Sequence, residues 1–124
     1  MAALHQFDVV HVRLDPTQGS EMRGTRPCVI IQTNAGMAGK TVLVAPLTSQ
    51  QLEREFPFHV LVKKSRENGL AVDSKMKLEQ VRCVAVERLG KKIGNLEKPV
   101  REDFFKALDV IFDRRQDFQE GWQI

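Results

Sequence analysis

Residues 28–46, CVIIQTNAGMAGKTVLVAP, decide the fold class of this chain. Residues 28–32 and 41–46 are short runs rich in β-branched side chains, and a loop that contains two glycines separates them. Short β-branched runs bounded by glycine, proline or polar residues are typical of strands, and glycine supplies the backbone freedom that a turn requires. The stretch therefore predicts two consecutive strands joined by a loop.

Outward from this stretch, the same criteria predict strands at residues 7–14, 58–62, 74–78 and 81–86. Around residues 88–90 and 93–94 the pattern breaks into turns. Only one segment predicts a helix, because from Pro99 to Phe112 apolar residues recur at spacings of three and four. Many short strands followed by one amphipathic helix predict a mainly β protein with a small, strongly curved sheet or barrel.

Length and composition fit one globular domain. Domains usually run about 100–200 residues, and the 124 residues here are 42% hydrophobic and 28% charged. No stretch approaches the roughly 18 apolar residues of a membrane span, and the first residues show no basic start followed by an apolar run. We expect a single domain over residues 1–112, a C-terminal tail over residues 113–124 and a cytoplasmic location.

Cysteines and histidines show no metal-binding pattern. Cys28 and Cys83 are each flanked by β-branched residues, and we expect both to be buried thiols. His5, His11 and His59 lie far apart, without Cys-x-x-Cys or His-Glu-x-x-His spacing. We therefore expect no metal and no cofactor, and we expect His59 to be a partly packed strand residue.

Charge is distributed unevenly along the chain. Residues 1–62 carry five basic and five acidic side chains, whereas residues 63–92 carry nine basic and four acidic ones, a net charge of +5. A local basic surface attracts polyanions and steers their approach. The alternative for this feature alone is a solvated face of an ordinary protein.

Several motifs in order resemble the successive signatures of the MazF/PemK toxin family, over roughly residues 7–112. They are Asp15-Pro16-Thr17-Gln18-Gly19-Ser20-Glu21 through Arg26-Pro27, Ala45-Pro46-Leu47-Thr48-Ser49, Phe56-Pro57-Phe58, Gly69-Leu70 with Ser74, Glu79-Gln80-Val81-Arg82, and Arg88-Leu89 with Ile93-Gly94. The first lies in a polar loop at residues 15–27, and loops of this length are uncommon and tend to be functional. Each motif alone is weak, but six in order are a strong signal.

The resemblance implies an SH3-like β-barrel of the CcdB/PemK type with a C-terminal helix. It also implies a homodimeric, sequence-specific, metal-independent endoribonuclease toxin that cleaves single-stranded RNA and is inhibited by a cognate antitoxin. The catalytic centre that it implies consists of Arg26 and Thr48, with Glu21 as a third member. RNA contacts are expected from Ser20, Arg23, Ser49, Gln50, Gln80 and Arg82.

Metal-free RNA cleavage proceeds by attack of the ribose 2′-OH on its own phosphate, which leaves 2′,3′-cyclic phosphate and 5′-OH ends. Arg26 suits the role of electrostatic stabiliser of the transition-state charge, because guanidinium binds phosphate oxygens with planar geometry. It is also a possible general acid. It does not suit the base, since arginine is always protonated in proteins. Thr48 would hydrogen-bond the transition state, and Glu21 is the candidate base or orienting group.

Structural roles are the alternatives at each position. Arg26 before a proline could be an ordinary extended loop residue, Thr48 could cap local backbone, and Glu21 could pair with a nearby arginine. Gln80 and Arg82 could hold a loop. Met22, Cys83 and Ala85 depart from the family pattern and leave the cleaved sequence open.

Two other functions remain open. One is a CcdB-like toxin that inhibits a topoisomerase by protein binding, since fold alone does not fix function. The other is a non-catalytic RNA-binding module. Seven phenylalanines, one tryptophan and no tyrosine provide few stacking platforms for bases if most of them fill the core, which argues against that module.

Overall fold

A computed structural model describes residues 3–34 and 39–113, so the predicted tail, apart from its first residue, lies outside the described residues. Within these described residues, seven strands precede one helix. They are β1 (Asp8–Arg13), β2 (Thr25–Ile30), β3 (Thr41–Thr48), β4 (His59–Val62), β5 (Ser74–Lys77), β6 (Arg82–Ala85), β7 (Leu89–Asn95) and α1 (Lys98–Ile111), with short 3-10 turns at Leu78–Gln80 and Val86–Arg88.

Strand β3 organises the sheet. One of its edges pairs with β2, and the other pairs first with β6 and then, near Thr48, with β5. All pairs are antiparallel, and the main strand order is β4-β5-β3-β2-β1-β7. The mainly β fold with one C-terminal helix is confirmed, and the curved sheet agrees with a small barrel, although no pairing between described strands closes it.

The sheet separates two apolar cores, because alternate strand residues point to opposite faces. Val9 belongs to the core that α1 covers, whereas Val10 belongs to the other. Helix α1 contributes Phe104, whose ring packs edge-to-face on Phe7 with centroids 5.5 Å apart. In the described part of the chain, no helix is long and apolar enough to cross a membrane.

Strand β2 begins at Thr25, within the segment predicted to be a loop. The prediction was wrong here because this segment is dense in polar and turn-forming residues, which local criteria assign to a loop. Strand β3 pairs with β2 only from Cys28 onward, so the first residues of β2 lie at a sheet edge. A proline is tolerated there because it removes no hydrogen bond between strands.

Strand β7 replaces the turns predicted around residues 88–90 and 93–94. Its glycines permit close approach rather than chain reversal: a Cβ on Gly90 would lie 3.3 Å from the carbonyl oxygen of His11, and one on Gly94 only 2.3 Å from that of Glu67. Irregular register between β1 and β7 accompanies these contacts. Glycine in a strand often marks such a bulge or close approach.

The two cysteines differ. Cys28 is fully buried as predicted, and its burial raises the pKa of the thiol to about 12 even though the guanidinium groups of Arg26 and Arg82 act in the opposite direction. The prediction of a buried Cys83 was wrong, because Cys83 lies on the exposed side of β6. Its flanking Val84, one residue out of phase, is the buried one.

We expect Gly94→Ala to lower the free energy of unfolding by at least about 2 kcal/mol, because overpacking against backbone atoms cannot be relieved by a rotamer change. Urea denaturation measures the loss. Gly39→Ala is the matched control, since its Cβ would meet nothing nearer than 4.0 Å, and it should change stability by less than about 0.5 kcal/mol. Equal effects of the two substitutions would contradict the close-approach assignment.

A thiol-selective aromatic disulfide should label one cysteine per folded chain at pH 8. The thiolate is the reactive species, and Cys28, with a pKa of about 12, stays protonated and buried below that pH. Absorbance of the released thiol counts the sites. Cys83→Ser should leave the folded protein unlabelled, and denaturant should expose Cys28 in both forms; rapid labelling of folded Cys83→Ser would refute the assignment.

Candidate active site

Arg26 and Thr48 line the same cleft, a hollow of about 240 Å³ that we call the Arg26–Thr48 cleft. Strand β2 supplies Arg26 and the end of β3 supplies Thr48, and pairing of these two strands holds the positions together. Other residues around the cleft are Pro27, Leu47, Ser49, Gln50, Leu70, Ala71, Val72 and Ser74. The structure therefore brings together four residues singled out from the sequence: Arg26, Thr48, Ser49 and Gln50.

Arg26 is half-buried, and one hydrogen bond orients its guanidinium group. Its Nε donates a hydrogen bond to the backbone carbonyl oxygen of Arg23 at 2.9 Å. Among the described residues, no carboxylate lies within ion-pair distance of Arg26. A guanidinium oriented through Nε keeps its two terminal nitrogens for an anion, and such bonds to phosphate oxygens are among the stronger hydrogen bonds in proteins.

Thr48 is a half-buried hydroxyl at a strand end. Its Oγ1 accepts a hydrogen bond from the backbone N–H of Gln50 at 3.2 Å, so the local capping contact considered from the sequence is present. Because a hydroxyl can donate while it accepts, the Thr48 proton can still be directed toward a ligand in the cleft. The capping bond fixes the oxygen and leaves this donor.

Glu21 does not line the cleft. Its Oε1 accepts a hydrogen bond from the backbone N–H of Gln18 at 2.6 Å, which closes a turn within the β1–β2 loop. No ion pair to Arg23 or Arg26 forms in the described chain. Arg23 and Ser20 also lie on this exposed loop outside the cleft, and Arg23 donates to the carbonyl oxygen of Gly19 at 3.4 Å.

Gln80 and Arg82 tie the β1–β2 loop to the sheet. The Oε1 of Gln80 accepts from the backbone N–H of Met22 at 3.1 Å, and its Nε2 lies 3.5 Å from the carbonyl oxygen of Ser20. Arg82 donates to the carbonyl oxygen of Leu14 at 3.2 Å. The loop-holding role considered from the sequence is therefore present at both residues, and RNA contact by either stays a prediction.

The segment from Leu70 to Ser74 closes the cleft. The sequence placed Leu70 and Ser74 in a family motif, but neither was predicted as a site residue. Buried Asn68 shapes this segment: its side-chain oxygen accepts from the backbone N–H groups of Ser65 and Leu70, both at 3.0 Å, and its Nδ2 donates to the backbone carbonyl oxygen of Lys63 at 2.8 Å. An asparagine that bonds nearby backbone is typical of turns, so the sequence carried a turn signal but no sign of what the turn faces.

Fewer basic side chains of residues 63–92 are available on the surface than the net charge of this stretch suggests. Lys75, Arg82 and Arg88 donate to backbone carbonyls, and Lys92 lies 3.2 Å from the carboxylate of buried Asp8. These four cations hold the fold. Only the remaining basic side chains of the stretch are available to attract a polyanion without giving up these contacts.

A family model described as "PemK-like, MazF-like toxin of type II toxin-antitoxin system" matches residues 5–112. Endoribonuclease MazF of Staphylococcus saprophyticus is 38% identical over 108 residues, which cover 86% of this chain and 89% of that protein. Endoribonuclease EndoA of Bacillus subtilis is 35% identical over 104 residues, covering 83% and 89%. These are the similarities expected from the motif order.

Solved structures share the fold. An endoribonuclease in complex with its cognate antitoxin from a mycobacterial species has a TM-score of 0.75 at 18% identity and covers 93% of this chain and 100% of that one. MazF from Deinococcus radiodurans has a TM-score of 0.77 at 16% identity and covers 91% and 99%. At these identities the likeness concerns the fold alone.

Loss of the Gln80 side chain should loosen the β1–β2 loop. We expect Gln80→Ala to speed amide hydrogen exchange at Met22 by about 5- to 10-fold, the equivalent of one hydrogen bond worth about 1 kcal/mol. Gln80→Glu keeps the accepting oxygen and should retain most of the protection. Unchanged exchange in Gln80→Ala would show that the loop is held by other contacts.

Proposed function

Because this chain belongs to the PemK/MazF-like family of toxins from type II toxin-antitoxin systems, we propose that it is an endoribonuclease that cuts single-stranded RNA at specific sequences without a metal ion. The Arg26–Thr48 cleft is the proposed site of cleavage. The observation that carries this proposal is the presence of Arg26 and Thr48 in one open cleft, with the arginine free of any acidic partner among the described residues.

The proposed reaction is attack of a ribose 2′-OH on the adjacent phosphorus, which forms the cyclic P–O bond and breaks the bond to the 5′-oxygen of the next nucleotide. The departing 5′-oxygen takes up a proton from water. Negative charge builds up on the non-bridging oxygens in the transition state. Arg26 neutralises that charge with its terminal nitrogens, and the Thr48 hydroxyl donates a further hydrogen bond to it. The products carry 2′,3′-cyclic phosphate and 5′-OH ends.

Glu21 is the proposed general base that removes the proton of the 2′-OH. Its carboxylate is bonded to the Gln18 backbone N–H, so it takes the 2′-OH proton only after the β1–β2 loop exchanges that bond for one to the RNA. Arg26 cannot serve as this base because its guanidinium stays protonated. Ser49 and Gln50 lie in the cleft and are proposed to contact the bound strand, together with the loop residues Ser20 and Arg23.

We also propose a homodimer, inhibition by a cognate antitoxin and a cytoplasmic location. A solved structure of this fold is an endoribonuclease in complex with its cognate antitoxin, which supports the second point. Exposed apolar side chains on α1 and just after it, Phe105, Val110 and Phe112, provide surface for protein contacts. Gln80 and Arg82 would contact RNA from the positions where they hold the loop.

Arg26→Ala should lower the cleavage rate by about 100- to 1000-fold, as loss of a single transition-state charge donor does in other enzymes. Arg26→Lys should recover only part of the rate, because a point charge cannot reproduce bidentate binding. The assay is cleavage of a long single-stranded RNA in EDTA with mapping of the cut ends.

Arg66→Ala is the matched control, since it removes an exposed guanidinium away from the cleft and should change the rate less than about threefold at moderate salt. A wild-type protein that needs magnesium would refute the mechanism. No cutting by any form, with toxicity retained in cells, would instead favour a toxin that acts by binding a protein.

A further inference from the structure

A second hollow lies beside the Arg26–Thr48 cleft. It measures about 410 Å³ and is lined mainly by Leu52, Phe56, Pro57, His59, Leu61 and Lys75; we call it the Phe56–His59 pocket. None of these residues lines the cleft. Apolar side chains with a few polar groups are the usual lining of small-ligand sites, and this volume is within their range.

His59, which lines this pocket, carries an unpartnered polar atom. Its side chain is only 7% exposed, its Nε2 lies 3.0 Å from both carboxylate oxygens of Glu79, and within the described part of the chain its buried Nδ1 has no hydrogen-bond partner. A carboxylate can only accept, so Nε2 carries a proton, and in the neutral form of the ring Nδ1 has an acceptor lone pair. Buried polar atoms are nearly always paired, so this one points to a ligand that donates an N–H.

Phe56 offers an aromatic surface at the same place. Its ring is 44% exposed, stacks on Phe58 with centroids 5.5 Å apart and an interplanar angle of 26°, and contacts the His59 ring edge-to-face at 5.0 Å. Exposed aromatic rings stack on nucleobases of any identity. The pocket thus presents one stacking ring and one directional acceptor, the combination that recognises a flat base with an N–H edge.

Charge favours a base over a phosphate. Glu55 lines the pocket, and Glu79 lies behind His59. Lys75 is the single cation among the described residues that line the pocket; it is 5% exposed and donates to the backbone carbonyl oxygens of Gln51 and Arg54 at 2.8 and 3.0 Å. A phosphate would meet the Glu55 carboxylate and an occupied ammonium group, whereas a neutral base would meet apolar walls.

Strand register places the pocket next to the reacting groups. Leu61 of the pocket pairs with Lys75 on β5, and Lys75 pairs with Thr48 on β3. These three residues form one row on one face of the sheet, so Leu61 and Thr48 lie about two strand spacings, roughly 10 Å, apart. A strand of RNA held at Thr48 would therefore bring a neighbouring base to the pocket.

We propose that the Phe56–His59 pocket binds one base that flanks the cleaved phosphate, with the base stacked against Phe56 and an N–H of its edge donated to His59 Nδ1. This rests on the proposed ribonuclease function and extends it to sequence selection. All four RNA bases carry an N–H group on one edge. The pocket would prefer the base whose N–H reaches His59 Nδ1 while its ring stacks on Phe56. Rotation of exposed Phe56 opens the way to the buried nitrogen.

Two histidine substitutions separate base reading from a structural role. His59→Asn places an amide near the position of Nδ1 and abandons Glu79, whereas His59→Gln places its amide near the position of Nε2 and leaves nothing at Nδ1. We expect His59→Gln to relax the preference for one base next to the cut and His59→Asn to retain more of it. End mapping on a long RNA in EDTA provides the readout, and thermal unfolding confirms that each variant is folded.

Phe56→Ala tests the stacking surface. It should weaken binding of a short RNA carrying the wild-type cut sequence by about 5- to 100-fold, measured with a 2′-O-methyl group at the cut so that attack is blocked. Phe56→Trp should bind at least as well as the wild type. Leu43→Ala, which removes a large apolar side chain 41% exposed on β3 and outside both hollows, should leave binding unchanged.

The outcomes distinguish the two proposals. Wild-type protein that does not cut RNA refutes the proposed function itself. Wild-type cutting with unchanged motif and affinity in Phe56→Ala and His59→Gln overturns only the base pocket. Altered inhibition by a purified antitoxin, with RNA cutting, motif and affinity intact in the same variants, would also overturn it and assign the pocket to a protein partner.

Discussion

The architecture depends on the hydrogen bonding of strand β3, which is paired along both of its edges. Its partners on one edge change from β6 to β5 near Thr48, and β2 occupies the other edge. Backbone groups in the interior must be paired, so this one strand fixes where three others lie. The cleft forms beside the end of β3, because β2 brings Arg26 to it while β5 follows the segment that closes it.

The sequence was sufficient where local signals agree with the fold. β-branched runs predicted six strands, helical periodicity predicted α1 to within one residue at each end, and motif order singled out Arg26 and Thr48. Where long-range contacts decide, local signals were insufficient. Gly94 looks like a turn residue until Glu67 is seen against it. Residues 25–27 belong to a polar, turn-rich segment, yet pairing with β1 makes them part of a strand.

Local signals were likewise insufficient for the orientation of single residues and for parts of the candidate site. Cys83 was misassigned because its β-branched neighbours describe a strand but not which of two faces each residue occupies. Glu21 was grouped with Arg26 by motif, whereas its nearest bonded partner is the adjacent turn. The pairing of Leu61 with Lys75 and of Lys75 with Thr48, which places two hollows on one face, depends on register between strands far apart in sequence. No local pattern encodes such a register.

Contact between the turn after Ser65 and strand β7 also limits how segments of this fold can be exchanged with relatives. A Cβ on Gly69 would lie 2.0 Å from the carbonyl oxygen of Ile93, and one on Gly94 would meet the backbone of Glu67 and Asn68. Each glycine thus makes room for the other segment. A chimaera with its crossover between these two segments would combine a turn and a strand that come from different proteins and do not fit each other closely. The turn and the strand are therefore best kept together as one recombination block.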